Sequence, residues 1–201
     1  MSKLGLIIAG VLMGVAMSLG GIWWYLERNY TYQGVLIEPP ATAPEFSLKD
    51  QHGDLFELSQ QKGKVVLLFF GYTNCPDVCP ITLSEFKKIK GILGERADQV
   101  DFVFITVDPE RDTPGRIREY LANFDPTFIG LSGDHHELET VWSDYGVYQE
   151  HDDVHVSTEY LVDHSSRVYA INKQGQWRLN YPFSMEPERI AQDVIQLLKQ
   201  D

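Results

Sequence analysis

The two cysteines of this chain, Cys75 and Cys79, lie four positions apart in one short segment, and the chain has no other cysteine. A pair this close in sequence cannot link distant parts of a fold through a disulfide. The domain must therefore be held together by its apolar core. The pair itself can close a small local disulfide, cycle as a redox couple, or bind a soft metal ion. The function depends on which of these three chemistries the segment performs.

The beginning of the chain differs in composition from the rest. Residues 4–26 carry no charged side chain, and the stretch ends in Trp23, Trp24 and Tyr25. About 20 apolar residues span a bilayer as a helix, and aromatic residues concentrate at membrane interfaces. We therefore predict a transmembrane helix that anchors the chain through residues 1–26, with the N-terminus inside and the main domain outside. A cleaved signal peptide is the alternative.

The next segment, residues 27–44, contains Pro39, Pro40 and Pro44. Proline-rich segments are extended and semi-rigid, so we predict a tether that holds the following domain away from the membrane. Residues 45–201 are long enough for one domain with its own core. The net charge of −12 argues against binding to nucleic acid or to anionic lipid.

Apolar runs and helical periodicity alternate after residue 45. The pattern predicts a hairpin at 46–58, strands at 64–70, 102–107, 127–131 and 177–181, paired strands at 160–164 and 168–172, and helices at 81–97, 112–124, 134–145 and 187–198. Alternating strands and helices predict an α/β sandwich with a central mixed sheet and helices on both faces. A cysteine pair between a buried strand and a helix start is the thioredoxin-like arrangement.

The position of the cysteine pair affects its chemistry. A helix N-terminus stabilises a nearby thiolate and lowers its pKa. Pro80 suits the first helical turn, which would place Cys79 at the helix cap. The spacing is one residue longer than the Cys-x-x-Cys of common thiol–disulfide exchange proteins. Two thiolates select soft metals such as Cu(I) or Zn(II), whereas iron–sulfur clusters usually need four cysteines.

One histidine stands out as a third ligand. His164 follows a predicted strand and precedes a turn, and strand ends of α/β sheets face the functional edge. Two sulfurs and one imidazole suit Cu(I), and Cu(II) could add a water or a carboxylate. A structural role for His164 is the alternative. We predict solvated surface positions for the others, which are His52, His135, His136, His151 and His155.

At this point the sequence resembles the Sco/SenC family of copper-binding proteins. The resemblance rests on three stretches in their order and separation: GYTNCPDVCP at 71–80, TVDPERDTP at 106–114 and VDHS at 162–165. A single anchor before a proline-rich tether also matches. Asn74 departs from the pattern, because many relatives carry histidine or another polar residue there.

The resemblance implies a thioredoxin-like fold with a copper site formed by Cys75, Cys79 and His164. It implies a role in assembling the copper centre of cytochrome c oxidase. The expected partners are the copper-site subunit of that oxidase and a copper donor or thiol-reductant protein. The expected location is the bacterial inner membrane, with the domain on the periplasmic side. Asp77 would be a nearby charge, an outer ligand or a loop residue that caps backbone N–H groups.

Two functions from different classes remain open. In the first, the chain is a metallochaperone that binds Cu(I) and passes it on by ligand exchange. In the second, it is a thiol–disulfide oxidoreductase that keeps the cysteines of a copper-site partner reduced, which makes it an enzyme. A purely structural disulfide is disfavoured, because so small a ring restrains little of the unfolded chain.

Overall fold

The computed structural model describes residues 3–28, 30–147, 149–151, 162–164 and 167–200. Two compact units are present, and the boundary between them follows Tyr32. The first unit contains helix α1 (Lys3–Arg28), at the position where a transmembrane helix was predicted. Large apolar side chains of α1 are more than half exposed: Ile8, Val11, Leu12, Met13, Val15, Met17 and Leu19. Within the described ranges, no helix combines the length and apolar character needed to cross a membrane.

The second unit, from Gln33 onward, contains the sheet. Its strands are β1 (Val35–Thr42), β2 (Ser47–Asp50), β3 (Leu55–Glu57), β4 (Val65–Gly71), β5 (Val100–Thr106), β6 (Ile129–Ser132), β7 (Gln149–His151), β8 (Val162–His164), β9 (Arg167–Ile171) and β10 (Gln176–Pro182). Its helices are α2 (Val78–Leu93), α3 (Pro114–Ala122), α4 (His135–Asp144) and α5 (Pro187–Lys199), with 3₁₀ turns at Leu58–Gln61 and Gly94–Gln99.

The main sheet has the strand order β1-β10-β9-β4-β5-β6-β2-β3. Strands β4, β5 and β6 are parallel, and the flanking pairs on both sides are antiparallel. Every residue of β4 and of β5 is buried, as expected for central strands covered on both faces. The predicted mixed sheet is therefore confirmed.

Neighbouring side chains of β4 point to opposite faces of the sheet. Phe69 contacts the ring of Phe86 on α2, at 6.4 Å between centroids. Phe70 contacts Tyr145, the residue after α4, at 5.6 Å. Helices consequently cover both faces, as the sequence predicted. The carboxyl end of β4 leads directly into the cysteine segment.

The N-terminal part of the domain differs from the prediction of a tether over 27–44. Residues 35–42 form β1, which pairs antiparallel with β10. Just before β1, the backbone N–H groups of Gln33 and Gly34 donate to the buried carboxylate of Asp193 on α5, at 3.0 and 2.9 Å. The outer edge of β10 offers backbone groups that need partners, and prolines are tolerated in such an edge strand. The tether prediction is wrong for this stretch.

The pairing predicted for 160–164 with 168–172 is also wrong. Strand β9 lies between β10 and β4 and pairs with both of them. Because both edges of β9 are occupied, β8 cannot join it. Instead β8 pairs antiparallel with β7 in a separate two-stranded ladder.

Candidate metal centre

The two cysteines lie where β4 ends and α2 begins. The N–H of Cys75 donates to the carbonyl of Tyr72 at 3.2 Å, which closes a turn immediately after the strand. The carbonyl of Gly71 accepts from the N–H of Val107 at 2.9 Å, which joins the ends of β4 and β5. The segment therefore leaves the centre of the sheet from a fixed position, at the carboxyl ends of the parallel strands.

The start of α2 differs by two positions from the predicted cap. Asp77 is the N-cap, so Val78 is the first helical residue and Cys79 the second. The side chain of Asp77 makes no capping hydrogen bond. The sulfur of Cys75 accepts from the N–H of Cys79 instead, at 3.4 Å. Cys75 thus does for this helix what an oxygen of an N-cap side chain usually does.

Both cysteines are thiols rather than halves of a disulfide. Cys79 is fully buried and Cys75 is partly exposed. The thiol of Cys79 forms a hydrogen bond with the side chain of Cys75, so the two sulfurs are neighbours. One sulfur is reachable from outside, and the other lies behind it.

Gly71 makes room for the buried sulfur. A Cβ at this position would lie 2.8 Å from the Sγ of Cys79 and 3.0 Å from ring atoms of Phe69 and Phe104. Real Cβ atoms essentially never show a contact as short as the one of 2.8 Å to the sulfur. The absence of a side chain at the last residue of β4 is therefore a condition for the position of Cys79.

The two expected influences on the Cys79 thiol oppose each other. A helix N-terminus contributes about 0.3–1 kcal/mol to a nearby negative charge, whereas full burial can shift a pKa by roughly 3–5 units. Burial prevails and raises the pKa of Cys79 far above its ordinary value, with the hydrogen bond to Cys75 acting in the same direction. Burial therefore disfavours the thiolate form of Cys79.

A buried carboxylate fixes the turn in front of the cysteines. Asp112 accepts from the N–H of Thr73 at 3.1 Å, from the hydroxyl of Thr73 at 2.5 Å and from the hydroxyl of Thr106 at 2.7 Å. Its burial raises its pKa, and the hydrogen bonds from the threonines oppose that shift. The helix cap of α3 is its neighbour Thr113. Sequence reasoning gave Asp112 no role at the site, because its partner Thr73 is distant in sequence.

Arg116 on α3 holds the same turn from the outside. Its Nε donates to the hydroxyl of Thr73 at 2.8 Å, and its Nη2 donates to the side-chain oxygen of Asn74. Asn74 is the position that departs from the family pattern. In this chain its side-chain oxygen accepts a hydrogen bond from Arg116 of α3.

Tyr120 is a third residue that the sequence did not single out. Its ring lies 6.2 Å from the ring of Phe104, and it lines a cavity of about 610 Å³ together with Thr73 and Arg116. Burial raises the pKa of Tyr120, and the charges of Cys79, Cys75 and Asp112 add to that shift. Tyr120 belongs to none of the sequence motifs, so no local pattern pointed to it.

His164 is the last residue of β8, opposite Gln149 of β7. Its side chain lies outside the described part of the chain, as do the side chain of His151 and all of His155. The predictions for these three residues therefore stay predictions. Among the residues that the structure describes, no group of three metal-ligating side chains occurs. His52, His135 and His136 are exposed, as predicted.

The model of the SCO1/SenC family matches residues 35–199. The chain belongs to the SCO1/SenC family. A SCO2-like protein of Rickettsia prowazekii is 35% identical over 161 residues, which cover 78% of this chain and 75% of the relative. The recognition made from the three sequence stretches is confirmed.

Solved structures agree with this assignment. Bradyrhizobium japonicum ScoI, whose structure was determined with copper bound, is 39% identical with a TM-score of 0.72; the match covers 78% of this chain and 99% of ScoI. BsSco, described as a member of the Sco family of cytochrome c oxidase assembly proteins, is 21% identical with a TM-score of 0.65 over 83% of this chain and 99% of BsSco. At that identity BsSco supports the thioredoxin-like fold alone.

The donor set of this chain fits a soft, singly charged ion. Two neighbouring sulfurs provide the ligand type that Cu(I) prefers. A bound cation would also compensate the cost of ionising the buried thiol of Cys79. Its partner Cys75 is accessible, so an ion can enter and leave from that side.

We expect Gly71→Ala to displace Cys79 and destabilise the domain. The added methyl group overpacks the site, which typically lowers the free energy of unfolding by about 1–3 kcal/mol. Urea unfolding of the full chain measures this effect, and alkylation of the thiols under native conditions reports the altered exposure of Cys79. Gly91→Ala on α2 is the matched control, because a Cβ there meets nothing within 4 Å. Equal stability and equal alkylation in both variants would contradict the proposed role of Gly71.

Proposed function

We propose that this protein is a copper metallochaperone that assists assembly of the copper centre of cytochrome c oxidase. The observation that carries the proposal is the contact between two thiols at the start of α2, one buried and one accessible. The copper in ScoI, a homologue of the same fold and family, supports the choice of metal. Copper in this proposal is cargo that the protein receives and hands on.

The third ligand in this proposal is His164. Two thiolates and a neutral imidazole form a trigonal set that suits Cu(I). The strand β8 that ends in His164 belongs to a ladder separate from the main sheet. The proposal therefore requires this ladder to bring the imidazole to the sulfurs.

Transfer would proceed through the accessible sulfur. A recipient thiolate can reach copper beside Cys75, whereas Cys79 is shielded by Gly71 and the surrounding rings. Each new bond to the recipient replaces one bond to this protein, so copper never needs to be released into water. The recipient is the copper-site subunit of the oxidase. The other expected partner is a copper donor protein or a thiol-reductant protein.

We expect the reduced full chain to bind one equivalent of Cu(I), and His164→Ala to weaken this binding. Even outer-shell partners of metal ligands contribute about 10–100-fold to affinity, so loss of a ligand should weaken binding by at least about 100-fold. Anaerobic competition with a Cu(I) chelator measures the affinity. His52→Ala is the control, because His52 is exposed and lies in the hairpin turn after β2. Unchanged affinity in His164→Ala would remove this residue from the site.

We also expect the affinity for Cu(I) to rise with pH between about 6 and 8. The raised pKa of Cys79 keeps this thiol protonated in that range, and copper must displace the proton because the thiolate is the ligand. The affinity should increase about tenfold per pH unit for each displaced proton. Competition titrations at several pH values, corrected for protonation of the chelator, test this expectation. A flat profile would mean that the copper-free site already holds thiolates.

A second candidate function is thiol–disulfide exchange with a partner. It is favoured by the unequal exposure of the two thiols, because Cys75 can attack a partner disulfide while Cys79 waits behind it. The first step forms a mixed disulfide at Cys75, and attack by Cys79 then releases the reduced partner and leaves a Cys75–Cys79 disulfide. Robust reduction of partner cysteines without copper, together with weak Cu(I) binding, would favour this function over the first.

We further propose that residues 1–26 anchor the protein to the bacterial inner membrane, with the domain on the periplasmic side. The proposal is supported by the absence of charged residues over 4–26 and by the exposed apolar side chains of α1. Such side chains are stabilised when they leave water. We expect the full chain to stay in the membrane pellet after alkaline carbonate extraction, and a variant with Leu12→Lys and Leu19→Lys to be released. Release of the unaltered chain would contradict the anchor.

A further inference from the structure

Cys75 is the last residue of a tight turn. Its N–H donates to the carbonyl of Tyr72 at 3.2 Å. Thr73 and Asn74 are therefore the two central residues of the turn. The backbone angles of the central residues define a turn and hence the direction in which the chain leaves it. The position of the Cys75 sulfur consequently depends on how firmly Thr73 and Asn74 are held.

The side chain of Thr73 bridges a carboxylate and a guanidinium. Its hydroxyl donates to Asp112 at 2.5 Å and accepts from the Nε of Arg116 at 2.8 Å. The backbone N–H of Thr73 donates to the same carboxylate at 3.1 Å. Hydrogen bonds to ionised groups are shorter and about twice as strong as those between neutral groups. Thr73 is thus held through its backbone and through both the hydrogen and the oxygen of its hydroxyl.

The two ends of this bridge rest on the main sheet and on α3. Asp112 also accepts from the hydroxyl of Thr106 at 2.7 Å, and Thr106 is the last residue of the buried strand β5. Arg116 lies in the first turn of α3, which Thr113 caps, and its Nη2 donates to the side-chain oxygen of Asn74. A functional group must be kept within about 0.5 Å of its productive geometry by the residues that support it. The connection from β5 to α3 supplies such support for the turn.

The chain contains a second group of the same composition, remote from the cysteines. The carboxylate of Asp125 accepts from the N–H and the hydroxyl of Thr127 at 2.9 and 2.7 Å. The hydroxyl of Thr127 also accepts from the Nζ of Lys90 at 2.6 Å. Lys90 lies on α2, roughly 16 Å beyond Cys79 along the helix axis at a rise of 1.5 Å per residue. The second group therefore offers the same pattern of hydrogen bonds at a distance from the metal centre.

We propose that Thr73 is a positioning residue of the metal centre, which fixes the turn that presents Cys75 to copper by bridging Asp112 and Arg116. This inference rests on the proposed copper function. Removal of the hydroxyl breaks the bridge at its centre, so that Cys75 samples positions in which its sulfur cannot share an ion with the sulfur of Cys79. Part of the binding free energy is then spent on ordering the turn, and the affinity for Cu(I) falls.

The test is Thr73→Val in the full chain, which keeps the branched side chain and removes the hydroxyl. The affinity for Cu(I), measured anaerobically against a chelator, should fall about tenfold, the lower end of the effect of residues that support metal ligands. Thr73→Ser restores a hydroxyl and should bind Cu(I) like the unaltered chain. In the copper-free protein, the rate of alkylation of Cys75 should rise in Thr73→Val, because the sulfur is held less firmly.

Thr127→Val is the matched control, because it breaks the second group and leaves the turn intact. Urea unfolding should show a loss of stability in both valine variants, whereas the affinity for Cu(I) should fall only in Thr73→Val. An equal fall in both variants would trace the loss to general destabilisation and overturn the role of Thr73.

If Thr73→Val does not fold, Arg116→Met replaces it, since Arg116 is exposed and the change removes its hydrogen bonds to the turn. The same fall in affinity is expected, and an unchanged affinity in that variant would overturn the bridge.

The remaining outcomes separate this role from the proposed function. If the unaltered chain binds Cu(I) and Thr73→Val binds it equally well, the role of Thr73 is overturned and the proposed function stands. The same conclusion follows if Thr73→Ser binds as weakly as Thr73→Val, or if the alkylation of Cys75 does not change. If the unaltered chain does not bind Cu(I), the proposed function itself fails, and the role of Thr73 fails with it.

Discussion

The hydrogen bond from the N–H of Cys79 to the sulfur of Cys75 determines how this centre is built. It joins the accessible sulfur to the first turn of α2 and so fixes the separation of the two cysteines. The helix in turn packs on β4 through Phe86 and Phe69. Because β4 is completely buried in the middle of the sheet, the position of the dithiol is set by a central strand of the domain core. Rigid support of this kind lets ligands exchange copper without a loss of geometry.

The buried environment of the pair has two opposing effects. It makes the thiolate of Cys79 unfavourable in the absence of a cation, and it strengthens every interaction between that thiolate and a cation that does arrive. The nearby carboxylate of Asp112 also disfavours the thiolate of Cys79 and raises its pKa further. The site is consequently better suited to binding a positive ion than to storing a reactive thiolate. This contrast favours the metallochaperone over a general oxidoreductase.

Local sequence patterns predicted many of the helices and strands of the fold, and also the cysteine pair at the site. The apolar run of β4, the capping box of α4 and the cysteine spacing are local signals, and each led to the observed element or pair. The predictions failed where distant segments compete for one strand edge, as at β1 and β9. Asp112, Arg116 and Tyr120 could not be found for the same reason, since their partners at the site lie some 40 residues away and their importance comes from packing.

The attachment of β1 has a consequence for where the folded domain can be cut. Backbone N–H groups of Gln33 and Gly34 are held by Asp193, and β1 covers the outer edge of β10. A shortened chain that starts at residue 45 would uncover that edge along the length of β10, and unpaired edges recruit strands from other molecules. Such a fragment would lose solubility through intermolecular sheet formation. A fragment that retains residues 33–44 keeps the edge closed and is the appropriate soluble form.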